Sequence, residues 1–186
     1  MSRSLIDLHP EVRWRAEKVL LAASEISIPI LIYFTLRSFA EQQALYDQGR
    51  KTPGIRCRHD GKTWEIGTCY RHPLGLPVTW AQAGESYHNY GVAFDFCIDP
   101  PGPGVSWEIA IDLNRDRISD YTQVGELGES LGLQWGGRWP EPKKDRPHFQ
   151  LSFGFSVYEL RTFYELGGLP RVWEEVSKKN EKFKWP

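Results

Sequence analysis

Several things are scarce in this chain of 186 residues, and each scarcity excludes something. Cysteine occurs 3 times, an odd count, so no disulfide framework holds the fold. Charge is nearly balanced: 23 Lys and Arg against 24 Asp and Glu leave a net −1. No large positive field is available to hold nucleic acid or an anionic membrane. Long apolar runs are missing. The longest, from Ile28 to Leu36, contains Pro29 and Thr35 and is too short to span a bilayer, so no stable membrane insertion is expected. No apolar stretch of signal-peptide length follows Arg3, which predicts synthesis in the cytoplasm without an export signal. Histidine is limited to 5 positions, and repeats and low-complexity tracts are absent.

What remains is the composition of a globular protein, 40% hydrophobic and 25% charged, with 8 Trp. The length suits a single domain, residues 1–186, that buries its own core. Val12, Ala16, Val19, Leu20 and Ala23 recur at helical spacing, which predicts a helix over 8–26 with Pro10 in its first turn. Residues 30–36 read as a buried strand, and Ser38 with Glu41 as a capping box for a helix to about Asp47. Residues 53–85 are rich in Gly and Pro and read as a loop-rich insertion with short strands near 62–66 and 77–81. Strands are expected at 92–98, where Cys97 reads as a buried small hydrophobe, and from Trp107 to Leu113. A helix is expected over 119–131, stopping at Gly132. Residues 148–153 alternate, with His148, Gln150 and Ser152 on one face. Ser156 and Glu159 cap a helical tail over 155–186 that breaks at Gly167-Gly168. The class is α+β: a small antiparallel sheet with helices packed around it.

Two of the histidines stand in unusual surroundings. His88 precedes a glycine turn, and Asp95 follows inside an otherwise apolar strand, where a carboxylate is costly to bury unless paired or bound to metal. Asp145 and His148 meet at the mouth of another strand, behind Pro147. Zinc accounts for both. A catalytic zinc takes three protein ligands from His and carboxylates and keeps a position for water, and His88, Asp95 and His148 supply that set. The metal would bring the water's pKa toward ~7. Asp145 is the candidate proton carrier, and Arg37, between a strand end and a helix start, the candidate oxyanion partner. Spacing alone leaves open a satisfied loop histidine at 88 and an Asp95–arginine pair.

At these residues the sequence resembles a known family. Ser86-x-His88-x-x-Gly91-x-Ala93-x-Asp95 matches a motif of the zinc D-Ala-D-Ala carboxypeptidase and dipeptidase superfamily, the fold group shared with lysostaphin-type peptidases and the hedgehog signalling domain. Asp145-x-x-His148 matches its second motif, and Arg37 to Gln43 resembles the segment that carries its catalytic arginine. The L-alanyl-D-glutamate peptidase branch of bacteriophage endolysins is similar also at 135–139, 147–151 and 167–173. The resemblance implies one catalytic Zn2+ held by His88, Asp95 and His148, Asp145 as general base and acid, Arg37 as oxyanion stabiliser and Ser86 in support. It implies a monomeric peptidoglycan hydrolase that cuts the L-Ala–D-Glu bond of the stem peptide and causes host-cell lysis after release through a holin. Three alternatives stand beside it: a D-Ala-D-Ala carboxypeptidase, a non-catalytic zinc-bearing binding domain, and a cytoplasmic wall-recycling enzyme.

The insertion is longer than this region usually is in the endolysin branch. It carries Cys57, His59, Cys69 and His72, which suggest a disulfide, a second metal site or unlinked thiols. Trp64, Tyr70 and Trp80 are candidate substrate contacts there or its internal packing. Trp135 and Trp139, around Gly136-Gly137, read equally as cleft wall or core.

Overall fold

A computed structural model describes residues 1–48, 56–59, 62–65 and 78–182. The chain divides into two compact units, Met1–Arg37 with Tyr87–Pro186, and Ser38–Ser86.

The first unit is built on a four-stranded sheet in the order β1-β4-β6-β5. Its strands are β1 (Ile30–Phe34), β4 (Ala93–Ile98), β5 (Gln134–Trp135) and β6 (His148–Gln150). Every neighbouring pair is antiparallel. Side chains alternate across the sheet. Phe94, Phe96 and Phe149 point to one face, where Phe96 stacks 5.3 Å from Phe149 and lies 5.2 Å from Tyr121. All four rings are fully buried, and each contributes on the order of 1.5–3 kcal/mol. Asp95, His148 and Gln150 point to the other face.

Helices α1 (Pro10–Glu25) and α3 (Asp120–Ser130) flank the sheet. α1 opens at Pro10 behind His9, whose Nδ1 accepts from the Glu11 N–H, and it buries Val12, Ala16, Val19 and Ala23. α3 carries Gly125 against the Trp135 ring, where a Cβ would come within 2.2 Å. Helix α4 (Val157–Lys182) opens on the expected Ser156–Glu159 box and breaks at Gly167-Gly168, as its glycines imply. No described helix is long and apolar enough to cross a membrane.

Gly91 joins the buried turn at His88 to β4. Its φ is +67°, and an added Cβ would come within 2.8 Å of the Asp7 carbonyl and 3.0 Å of the Trp173 ring. Both the backbone angle and the space demand glycine. Gly91→Ala is therefore expected to cost about 2–4 kcal/mol, from left-handed strain plus overpacking. A chemical-denaturation midpoint checks it.

In the second unit, helix α2 (Phe39–Asp47) starts at the expected capping box, with the Glu41 N–H donating to Ser38 Oγ and the Ser38 N–H to Glu41 Oε2. Gln42 is buried and donates to the Ala81 carbonyl at 2.7 Å. Strands β2 (Arg56–His59) and β3 (Lys62–Glu65) form a hairpin with Cys57 opposite Trp64.

The structure corrects three expectations. β1 stops at Phe34 and is an edge strand of the sheet, with Leu31 44% exposed where the apolar run suggests full burial. No strand runs from Trp107 to Leu113; only Ser106 bridges to Ile98. Trp107 and Ile109 lie exposed, and the side chains of Asp112, Asn114 and Asp116 bond backbone N–H groups and turn the chain. Residues 78–81 bend, because Thr79 Oγ1 accepts from the Ala81 N–H.

Candidate metal centre

The sheet register builds the centre. Asp95 on β4 stands directly opposite His148 on β6, so both side chains rise from the same face. His88 comes from the short 3-10 turn Tyr87–Tyr90. That turn is tied down twice: the Arg37 N–H donates to the His88 carbonyl at 3.1 Å, and Asn89 Nδ2 donates to the Arg37 carbonyl at 2.8 Å. The three side chains meet. His88 Nε2 lies 3.1 Å from Asp95 Oδ1, His148 Nδ1 lies 3.0 Å from the same oxygen, and the two nitrogens are 3.2 Å apart. Among the described residues this is the one His/Cys/Asp/Glu group gathered closely enough for one metal ion.

The outward nitrogens settle what faces inward. His88 Nδ1 donates to the Thr35 carbonyl at 2.7 Å, and His148 Nε2 donates to Gln150 Oε1 at 3.0 Å. Gln150 is itself oriented by donating to Gln134 Oε1 at 2.9 Å. With those protons placed outward, two imidazole lone pairs and a carboxylate point at one another. Such a set needs a cation or a shared proton between its members. Burial lowers the His88 pKa, with Asp95 opposing. Burial also works against a charged His148, but the Asp95 hydrogen bond and charge outweigh it and raise its pKa. Burial disfavours the Asp95 carboxylate too, yet the facing histidines hold it ionised, well below the ordinary range. The raised His148 pKa favours a proton shared with Asp95, and a metal ion held there would take that proton's place. The donor set, two neutral imidazoles and one carboxylate, fits zinc.

Arg37 and Asp145 complete the surroundings. Arg37 is 7% exposed and sets Nη2 3.4 Å from Asp95 Oδ2. Burial lowers its pKa, while Asp95 and Asp145 favour its charge. Asp145 keeps an exposed edge, and desolvation of its carboxyl raises its pKa, with the Asp95 charge adding and His148 opposing. Its backbone is fixed: its N–H donates to the Gly136 carbonyl at 3.0 Å, and its carbonyl accepts from the His148 N–H at 3.3 Å. A Cβ on Gly136 would come within 2.4 Å of that carbonyl, so the glycine lets the turn close.

The tryptophans part ways. Trp135 is 4% exposed and donates from Nε1 to the Arg146 carbonyl at 2.7 Å, supporting the turn from the core. Trp139 is half-buried with its ring 5.2 Å from that of His148. Ser86 falls in the second unit. Cys57 and His59 lie on β2, but their side chains, and Cys69 and His72 entirely, lie outside the described residues, as does any link among them. Cys97 is a buried free thiol.

Sequence reasoning missed the supports: Gln150, Gln134, Asn89 and the Thr35 carbonyl. Gln150 had a usable signal, since it lies two residues from His148 on the same strand face. Gln150→Leu removes the acceptor that orients His148 and is expected to weaken zinc binding about 10–100-fold. Competition with a chromophoric chelator measures it.

A peptidase family M15 profile described as D-alanyl-D-alanine carboxypeptidase matches residues 80–151. Those residues span the turn at His88, Asp95 and the Asp145–His148 turn. The peptidoglycan L-alanyl-D-glutamate endopeptidase CwlK of Bacillus subtilis is 36% identical over 145 residues, 78% of this chain and 74% of that protein. Two solved structures are similar. One is the L-Ala D-Glu endopeptidase ChiX of Serratia marcescens, with 25% identity, TM-score 0.46, and coverage of 82% of this chain and 88% of that one. The other is the vancomycin-resistance D,D-pentapeptidase VanY with Zn(II), with 16% identity, TM-score 0.47, and coverage of 91% and 83%. The sequence similarity defines a metallopeptidase that acts on peptidoglycan. The chain belongs to the zinc D-Ala-D-Ala carboxypeptidase superfamily, and its cofactor is zinc.

Proposed function

We propose that this metallopeptidase hydrolyses the L-Ala–D-Glu bond of the peptidoglycan stem peptide, as a lytic enzyme of the endolysin type. The convergence of His88 Nε2, Asp95 Oδ1 and His148 Nδ1 within 3.2 Å carries the reading. The identity to an L-alanyl-D-glutamate endopeptidase supports the choice of bond. The resemblance of residues 135–139 and 167–173 to the endolysin branch supports the lytic role.

In this reading His88, Asp95 and His148 hold the zinc. When bound, zinc supplies Lewis acidity, which polarises the scissile carbonyl and makes water acidic enough to react near neutral pH. Asp145 takes the attacking water's proton and returns it to the D-Glu nitrogen as the C–N bond breaks. Its raised pKa suits the return step, because a more basic carboxylate holds the proton until the amine needs it. Arg37, beside Asp95, offsets the charge that grows on the carbonyl oxygen. Gln150 and the Thr35 carbonyl keep the two imidazoles in their tautomers.

The family profile's description favours a second reading, removal of a terminal D-Ala by the same residues. Mass spectrometry of peptidoglycan digested by the zinc-loaded protein separates the two. Fragments with a new D-Glu amino terminus, absent with Asp145→Asn, support the endopeptidase. Loss of terminal D-Ala alone assigns the carboxypeptidase, and no cleavage overturns both.

A further inference from the structure

The segment between β4 and α3 holds a pattern that the peptidase chemistry does not use. Residues 112–123 read Asp-Leu-Asn-Arg-Asp-Arg-Ile-Ser-Asp-Tyr-Thr-Gln. Oxygen-bearing side chains stand at the first, third, fifth, ninth and twelfth places, the ligand places of the twelve-residue EF-hand calcium loop. Two residues depart from that loop: Arg117 takes the sixth place, usually Gly, and Gln123 the twelfth, usually Glu.

The backbone follows the sequence. Arg117 adopts the left-handed φ of 73° that the sixth place demands. Asp112 accepts from the N–H groups of Asp116 and Arg117, and Asp116 from that of Ile118. The loop leads directly into α3, as a calcium loop leads into its second helix.

Turn geometry alone does not make a metal site; the state of Asp120 is the independent observation. Asp120 is fully buried, and its Oδ2 accepts from the Leu113 N–H at 3.0 Å. Among the described residues its buried Oδ1 has no hydrogen-bond partner. An unsatisfied buried carboxylate oxygen costs several kcal/mol unless a cation meets it. The Leu113 N–H bond holds the Asp120 carboxyl in the loop, where burial raises its pKa and the Asp112 and Asp116 carboxylates raise it further. Among the described residues no Lys or Arg pairs with any of the three aspartates. The three carboxylates are not drawn to one point as the zinc ligands are, so an ion would contract the loop.

We propose that residues 112–123 bind one calcium ion, with Asp112, Asn114, Asp116 and Asp120 as side-chain ligands. Calcium is the fitting cation, because the donors are all hard oxygens on a flexible loop, whereas Mg2+ demands a rigid octahedron. The missing twelfth-place Glu puts the affinity in the weak range of extracellular modules, on the order of 10⁻⁴–10⁻³ M. The ion fixes the first turn of α3, the helix whose Gly125 seats Trp135 and through it the Arg146 carbonyl. The inference stands apart from the peptidase reading and does not depend on it.

The test is calorimetric titration of the full chain, loaded with one equivalent of zinc, with CaCl2 in buffer freed of other divalent ions. The expected result is one saturable site per chain, at least about ten-fold weaker for Mg2+, with a calcium-dependent rise in unfolding temperature. Asp116→Asn keeps an oxygen for the Ile118 N–H, so the ion-free protein still folds, and the variant weakens calcium at least about ten-fold; Asp120→Asn does the same to affinity. No saturable binding up to about 10 mM calcium, well above the weakest loops of this kind, overturns the proposal. Binding that survives both substitutions overturns it as well, by placing the ion elsewhere.

Discussion

Asp145→Asn is expected to lower kcat roughly 10²–10⁴-fold, while zinc stays at one per chain and the unfolding temperature does not move. The separation is sharp because the backbone of Asp145 and its carboxyl serve different ends. The backbone closes the turn, donating to the Gly136 carbonyl and accepting from the His148 N–H, and both bonds survive the substitution. Only the carboxylate is lost, and an amide cannot carry a proton from water to the leaving amine. The exposed edge of the side chain leaves room for an isosteric amide. Steady-state hydrolysis of a stem-peptide substrate, metal analysis and a thermal melt together check the expectation. Retention of more than about a tenth of wild-type kcat would move the proton carrier elsewhere.

The second large effect is on metal. His148→Ala is expected to abolish stoichiometric zinc and all measurable hydrolysis. In the proposed reading, zinc in the wild type resolves the opposition of two imidazole lone pairs and a carboxylate, so its binding free energy should appear as folding stability. At a thousand-fold excess over Kd the gain is about 4 kcal/mol, visible as a rise in unfolding temperature. The variant keeps only His88 and Asp95, and added zinc should leave its unfolding temperature unchanged. Removing zinc from the wild type with a chelator should lower its unfolding temperature by the same increment. A zinc-dependent rise in His148→Ala of wild-type size would show that the metal sits elsewhere.

Much of the centre is readable in the sequence because its residues meet strong local constraints. Gly91 is needed for its positive φ and for the approach of Asp7 and Trp173, so the glycine in the His88 motif marks a real turn. Asp95 stands out as a carboxylate on an apolar strand, and the antiparallel register sets it opposite His148. The supporting contacts are less legible, because they depend on which strands become neighbours. Gln134 meets Gln150 only through the β5–β6 pairing. Trp135 and Trp139 look alike in sequence, yet one is seated on Gly125 in the core and the other lies beside His148. Residues 107–113 show the limit of apolar patterning. Trp107 and Ile109 suggest a strand, but the aspartates that follow bond the backbone locally and compete with a ladder. The same run of aspartates, taken at its alternating spacing, is the signal of the proposed calcium loop.

The central claim is that zinc is held through His88 Nε2, Asp95 and His148 Nδ1, two imidazoles using different nitrogens. Anomalous X-ray diffraction at the zinc edge, on crystals of the zinc-loaded protein, tests it most directly. The expected result is a single peak about 2.0–2.2 Å from those three atoms, with His88 Nδ1 still on the Thr35 carbonyl and His148 Nε2 still on Gln150. A peak on the opposite ring nitrogens, or one away from these three side chains, would contradict the account.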